Sequence, residues 1–268
     1  MKLIGVGDNV LDHYMDQDLM YPGGNAVNVA VYARKLGVET AYLGSVGKDE
    51  PGRWLTQALT KEGVDVSRVK ELEWKTNICH VALVEGDRTF VGSDGGASDE
   101  LFLSEADFAY ISEFDLVHSS IYSRLEDQLE DLSKASQRLT FDFSNDSTAS
   151  YREKVLPWLT AAFFSGSDLS EEELEGLFLE CRQAGVELCL VTRGSQGAIL
   201  EYKGTKYYQG ITPTEVVDTL GAGDGFIAAL LVALYDQKLD PQTSMKKASE
   251  FAAKVCSDYG AFGQAMSY

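Results

Sequence analysis

The chain has 268 residues, 44% apolar and 24% charged, with only 5 prolines; this composition excludes disordered, collagen-like and low-complexity architectures, and at about 150 residues per domain it allows one large domain or two small ones. With 23 Lys and Arg against 42 Asp and Glu the net charge is −19, a surface that repels phosphate backbones and anionic lipid, so nucleic-acid and membrane partners are excluded and a small polar substrate stays open. The opening MKLIGVGDNVLDHY lacks a long apolar h-region with a small-residue cleavage site, and nowhere do about 18 apolar residues run together, so a cytoplasmic protein is expected.

In chain order, the first signal is Leu3 to Gly7, a continuous apolar run of strand length. Asn25 to Leu36 follows, rich in Ala and Val and ending at Gly37, a good residue to stop a helix. Ala41 to Val46 reads as the next strand. Two segments then break the rhythm: Asp12 to Tyr21, and Lys75 to Val91, where apolar and polar residues alternate around Glu85-Gly86-Asp87. The second reads as a hairpin outside the main sheet.

Leu116 to Ser120, Leu139 to Phe143, Ala161 to Ser165 and Leu188 to Thr192 are further apolar runs, as expected for parallel strands covered on both faces. Ser170 followed by Glu173 is a capping-box start for a helix to Ala184. The alternation predicts an α/β fold built on a largely parallel sheet. No linker or internal repeat divides the chain, so a single domain over residues 1–268 is expected. Its interrupting segments, approximately 12–21 and 75–97, would form a small β-sheet lid over the strand ends, where open α/β folds bind ligands.

The four cysteines make no CxxC pair and the three histidines no HxxxH face, so the cysteines read as reduced core residues. His80 and His118 sit in apolar strand-like runs and read as core or sheet-end residues.

The most informative stretch is Asp218-Thr219-Leu220-Gly221-Ala222-Gly223-Asp224-Gly225-Phe226, which opens the apolar run IAALLVALY. Small residues at the start of a buried helix leave backbone N–H groups unobstructed, and the helix dipole adds about half a positive charge there. This predicts an anion site. Asp224 would repel phosphate unless it has another task, and taking a proton from an attacking hydroxyl is such a task. Capping alone is the competing reading of Asp224. No GxxxxGK[ST] P-loop and no strand-bounded GxGxxG occur, so a different phosphoryl-transfer design is needed.

The segment DTLGAGDGF, together with GGNAVNVAVYARKLG at 23–37, resembles the paired signatures of the PfkB-type (ribokinase-family) sugar kinases. The opening GDNVLD, the interrupting hairpin, VTRGSQG at 191–197 and the terminal Gly260-Ala261 fall in that family's order, so the resemblance covers nearly the whole chain. Within the family, GDNVLDHY, PGGNAVNVAVYARKLG, VHSSIYS and TFDFS are most similar to members that phosphorylate the sugar 6-hydroxyl of the glycated lysine fructoselysine. Fructokinase, ribokinase-like, keto-deoxy sugar and nucleoside kinases are the alternatives, with a non-catalytic sugar- or nucleotide-binding regulator behind them.

The resemblance implies a three-layer α/β/α core with a β-sheet lid, ATP as donor, Mg²⁺ with the nucleotide, and dimerisation through the lid; it leaves a monovalent cation open. By position it implies Asp224 as catalytic base and Gly221, Ala222 and Gly223, with the Asp224 N–H, as the anion hole. It points to Asp8, Asn9, Asp12, Gly23, Gly24, Asn25 and Asn28 for the sugar, with Arg88 reaching in from the hairpin. For the nucleotide it points to Thr192, Arg193, Gly194, Gly197, Asp218, Ala253, Cys256 and Gly260. One departure concerns metal: where many members carry Asn-x-x-Glu, this chain reads Ser165-Gly166-Ser167-Asp168, leaving Asp168 as the one carboxylate, acting on the metal through water.

Overall fold

A computed structural model describes residues 1–84 and 87–268, without the side chains of residues 83–90; the turn expected at Glu85-Gly86-Asp87 and the Arg88 side chain lie outside the described residues. The backbone begins β1 (Lys2–Val6), β2 (Val10–Tyr14), β3 (Leu19–Gly23), α1 (Asn25–Lys35), β4 (Glu39–Leu43), β5 (Ser45–Gly47), α2 (Glu50–Lys61), β6 (Lys70–Leu72), β7 (Ile78–Val84) and β8 (Asp87–Asp94). It continues through α3 (Glu105–Ile111), β9 (Leu116–Ser120), α4 (Leu129–Ala135), β10 (Leu139–Asp142), α5 (Ala149–Val155), β11 (Ala161–Ser165) and α6 (Glu171–Ala184). β12 (Leu188–Thr192), β13 (Ala198–Tyr202), β14 (Thr205–Gln209), α7 (Ala222–Leu231), α8 (Pro241–Val255) and β15 (Met266–Ser267) complete it.

Eight strands form the main sheet in the order β14-β13-β12-β11-β10-β9-β1-β4. All pair in parallel except β13 and β14, an antiparallel edge. Period-2 side-chain alternation on strands with no polar face feeds two cores. Along β11, Ala161 and Phe163 enter one core, Ala162 and Phe164 the other. α1, α7 and α8 cover the first with Val27, Leu230 and Ala248, while α3 to α6 cover the second with Ile111, Leu132, Val155 and Phe178. These are the three layers that the family resemblance implies. Each large apolar side chain so buried contributes about 1.5–3 kcal/mol. Cys181 and Cys189 are core residues, whereas Cys79 and Cys256 are only half-buried.

Ala41 to Val46 is not one strand. The chain leaves the main sheet after Leu43 and resumes as β5, paired with β6. Gly44 makes the break possible, since a Cβ there would fall 1.9 Å from the Tyr42 hydroxyl. A second sheet runs β15-β3-β2-β7-β8, in which β2 is antiparallel to β3 but parallel to β7. Both rhythm-breaking segments contribute to it. Among the described residues, no helix is long and apolar enough to cross a membrane.

Candidate active site

The carboxyl ends of β1, β9 and β10 meet the amino ends of α1 and α7. Asp8, just beyond β1, is buried and saturated by protein donors. Its Oδ2 accepts from Asn25 N–H at 2.6 Å, and Oδ1 from Ala26 N–H at 3.3 Å, Ser120 Oγ at 2.7 Å and Ser123 Oγ at 3.0 Å. Asp8 is thus the anionic partner of the α1 amino end, where a negative charge is favoured by the helix dipole. Gly24 makes the approach possible: its φ is 108°, and a Cβ would lie 2.7 Å from Asn9 Cα. Asp12 packs on Gly23, where a Cβ would stand 2.4 Å from Asp12 Oδ2.

Asn9 donates through Nδ2 to Tyr42 Oη and to the Ser45 carbonyl, each at 2.8 Å. Asn25 and Asn28, one turn apart on α1, both reach Asp224. Asn25 Nδ2 donates to Asp224 Oδ1 at 2.7 Å and to Asp142 Oδ2 at 2.8 Å, and Asn28 Nδ2 donates to Asp224 Oδ2 at 2.6 Å. Two buried amide oxygens, Asn9 Oδ1 and Asn28 Oδ1, have no partner. That acceptor surplus suits a ligand rich in hydroxyl or ammonium donors.

Asp142 and Asp224 keep partial solvent contact while dense protein surrounds them on other sides. Burial pushes Asp224 up to about 6 against the hydrogen bonds from Asn28 and Asn25, with Asp8 adding to the rise. Asp142 is pushed up to about 7 by burial and then by the charge of Asp224. A carboxylate tuned toward neutrality and aimed by two amides is fitted to accept a proton.

Asp224 stands in the first turn of α7, behind Gly221, whose φ is 75°. A Cβ on Gly221 would come within 2.6 Å of Tyr32 Oη, so the tight turn requires glycine. Ala222 N–H bonds back to the Thr219 carbonyl at 3.2 Å and the helical ladder begins with Gly225 N–H on the Gly221 carbonyl at 2.8 Å. The N–H groups of Gly223 and Asp224 therefore precede the ladder, as donors at a helix amino end do. Asp218 is buried and ties the turn to two other regions. It accepts from Leu220 N–H at 2.7 Å, Gly260 N–H at 3.0 Å and, across to the second sheet, Tyr14 Oη at 2.6 Å.

The other residues expected at the nucleotide lie beyond β12 and at the end of α8. Thr192 ends β12, and Arg193 to Gly197 form a tight turn closed by Arg193 N–H on the Gly197 carbonyl at 2.7 Å. Gly197 has φ 88° and a Cβ would meet the Gln209 carbonyl oxygen at 2.1 Å, whereas Gly194 faces open space. Arg193 has a buried Nε without a partner and a loose contact to Glu171 at 3.4 Å. Ala253 and Cys256 flank the end of α8, and the Cys256 carbonyl accepts from Val217 N–H at 2.8 Å and Asp218 N–H at 3.2 Å. Asp168 is exposed between β11 and α6. Among the described residues, no group of three or more His, Cys, Asp or Glu is set to hold a metal.

Sequence reasoning missed Asp142, Ser120, Ser123 and the link from His118. The available signal was that all four fall in VHSSIYS and TFDFS, and that Ser120, Ser123 and Asp142 lie at or just past the carboxyl ends of parallel strands, where such sheets place ligand sites. His118 is buried, as its apolar surroundings predict, yet its Nε2 stands 2.8 Å from Asn25 Oδ1.

Known proteins match this arrangement along its whole length. The profile of the pfkB family of carbohydrate kinases matches residues 1–265. The fructosamine kinase FrlD of Bacillus subtilis (strain 168) is 45% identical over 272 residues, covering 100% of this chain and 95% of that one. The fructoselysine 6-kinase of Escherichia coli (strain K12) is 34% identical over 262 residues, covering 97% of this chain and 99% of that one. Among solved structures, Arabidopsis thaliana ribokinase complexed with ribose and ATP superposes with a TM-score of 0.84 at 22% identity, over 98% of this chain and 94% of that one. A fructokinase from Vibrio cholerae with fructose, ADP and potassium bound gives a TM-score of 0.80 at 24% identity, over 98% and 94%. The fold, the two signature segments and the full-length matches place this chain in the pfkB family of carbohydrate kinases.

Proposed function

We propose that this chain transfers the γ-phosphoryl group of MgATP to the 6-hydroxyl of a fructosamine, with fructoselysine as the foremost substrate. The observation that carries the chemistry is Asp224, held between Asn25 and Asn28 at the mouth of the glycine turn and pushed up to about 6. Asp224 takes the proton of the 6-hydroxyl as that oxygen attacks the γ-phosphorus in line. The bond from phosphorus to the β,γ-bridging oxygen breaks, and ADP leaves with the electron pair. The turn at Gly221, Ala222 and Gly223, with the Asp224 N–H, faces the charge that develops on the transferring group.

Acidic surroundings favour the substrate over a plain ketose. Among the described residues no cationic group contributes at Asp142 or Asp224, and the acidic cleft around Asp8, Asp142 and Asp224 suits a cationic glycated amine over a neutral sugar. The matches to kinases named for fructosamine and fructoselysine support the same substrate. Asn9, Asp12, Gly23, Gly24, Asn25 and Asn28 would hold the sugar, and Arg88 would approach from β8. Thr192, Arg193, Gly194, Gly197, Asp218, Ala253, Cys256 and Gly260 would border the nucleotide, with Arg193, loosely held by Glu171, as its cation. Mg²⁺ enters as part of the nucleotide substrate; Asp168 reaches it through water. The β15-β3-β2-β7-β8 sheet acts as the lid of a single cytoplasmic domain and as the contact between two copies.

ADP release with MgATP against fructoselysine, other fructosamines, fructose, ribose, 2-keto-3-deoxygluconate and nucleosides tests the substrate directly. Selective turnover of fructosamines is expected. Preference for fructose or a nucleoside by more than tenfold in kcat/KM would replace the substrate while leaving the mechanism in place.

A further inference from the structure

One buried polar chain, not used in the site described above, leads from the interior of the main sheet to Asp224. Thr140 Oγ1 on β10 lies 2.8 Å from His118 Nδ1 on β9, and also 3.1 Å from the Val117 carbonyl. His118 Nε2 lies 2.8 Å from Asn25 Oδ1, and Asn25 Nδ2 lies 2.8 Å from Asp142 and 2.7 Å from Asp224. Donor and acceptor rules fix most of this chain. The Asn25 amide nitrogen faces two carboxylate oxygens, so its oxygen faces the histidine. A carbonyl oxygen only accepts, so with the amide this way round the ring proton sits on Nε2 and Nδ1 accepts, the single Thr140 hydroxyl proton turning to Nδ1 at 2.8 Å in preference to the Val117 carbonyl at 3.1 Å.

The reverse arrangement, with the ring proton on Nδ1 and the Asn25 amide turned, is disfavoured at the carboxylate end, where it would set the Asn25 oxygen against Asp142 and Asp224. We infer that His118, in the Nε2–H tautomer, is a positioning residue whose N–H on the Asn25 oxygen fixes that amide so that both its N–H groups hold Asp142 and Asp224 as acceptors. The inference rests on Asp224 being the base of the proposed reaction. His118 does not touch substrate; it acts through Asn25. Burial holds the ring far down, at about 3, so it stays neutral through the working range and carries no charge into the site.

The consequence is a pH setting. The groups that face Asp224 are Asn25, Asn28 and Tyr32 from α1, Asp8 from the end of β1 and Asp142 from β10, with His118 behind Asn25. Asn25 and Asn28 are the groups here that favour the ionised form of Asp224, while Asp8 and burial oppose it. Releasing the Asn25 amide removes one of the two supports, so the base ionises at a higher pH.

Two measurements test this. With only three histidines in the chain, ¹⁵N-histidine labelling of the wild type resolves each ring, and His118 should show the neutral Nε2–H tautomer unchanged from pH 5 to 8. An Nδ1–H tautomer, or a ring that titrates in that range, would overturn the inference without any variant being made. In kcat/KM against pH, His118→Leu should move the acid limb upward by about one unit, roughly tenfold lower activity below the limb. The high-pH plateau should change much less. His118→Gln, which restores an N–H toward Asn25, should return the limb toward the wild-type position. A folded His118→Leu with an unmoved limb, or a Gln variant shifted as far as Leu, would equally overturn it. Asp224→Asn, run beside them, separates the two readings: a near-wild-type rate there removes the base, whereas the His118 tautomer stands or falls on its own.

Discussion

The acceptor half of the cleft and the nucleotide half are built differently. Around Asp8, Asn25, Asp142 and Asp224 nearly every polar atom is already bonded: Asp8 alone collects four protein donors, and Asn25 uses its carbonyl and both amide hydrogens. Around Arg193, Gly194 and Asp168 the bonding is sparse, with an unpartnered guanidinium nitrogen, a glycine facing open space and an exposed carboxylate. The difference teaches where preorganisation lies. On the proposed mechanism, the residues that would handle the hydroxyl proton are set before substrate arrives, while the donor side would gain its contacts with the nucleotide. Electrostatic stabilisation works best when its dipoles need no rearrangement during reaction.

The sharpest way to break this comparison is Asp224→Asn, expected to lower kcat by about 10²- to 10⁴-fold, the span for loss of a general base, with fructoselysine binding by titration largely retained. Asp8→Ala should be the largest structural lesion. It strips the shared partner from two backbone N–H groups and two serines, so denaturant unfolding should show a loss on the order of 2–4 kcal/mol. An unfolding midpoint unchanged by that substitution would show that the acceptor half is not held as described.

On the nucleotide side the same kind of change should be mild for the fold. Arg193→Ala is expected to leave stability within about 0.5 kcal/mol and to raise KM for MgATP roughly five- to twentyfold, a loss of about 1–2 kcal/mol of charge-assisted bonding. KM for the sugar should stay put. A sugar effect equal to the ATP effect would merge the two halves.

Asp142→Asn gives the smallest and most diagnostic shift. A carboxyl whose folded-state value is raised, here from 3.8 to about 7, makes the folded state bind protons that the unfolded state has released. Stability is therefore lost as pH rises from about 4 to 7, and the ionised group is a liability above that. Removing the charge should raise Tm at pH 8 by a few degrees, with the gain shrinking toward pH 4. A gain that grows toward low pH would reverse the assigned shift.

Much of this was legible in the sequence, for reasons tied to particular residues. Continuous apolar runs such as Leu188 to Thr192 can be satisfied only by strands covered on both faces, so the layered α/β fold follows from them. Gly221 to Asp224 stands out because glycines before a buried helix and a carboxylate in its first turn need an explanation. The split of Ala41 to Val46 was hidden, because Gly44 yields the sheet to a tyrosine hydroxyl two residues back, a contact without sequence signal. Asp8 read as a sugar ligand by position, and its saturation by four donors depends on Ser120 and Ser123, more than a hundred residues away. The Thr140, His118 and Asn25 chain was hidden for the same reason: TFDFS, VHSSIYS and GGNAVNV each stand out locally, but nothing within them says that they converge.

The central claim is that Asp224 is a base tuned and aimed by its neighbours, and kcat/KM for fructoselysine at saturating MgATP from pH 5 to 9 tests it most directly. Because the base must be ionised, the wild type should rise through an acid limb near pH 6 and level off above it, while Asp224→Asn should run low and lose that limb. An Asp224→Asn profile that keeps the wild-type limb at a comparable rate would contradict the account.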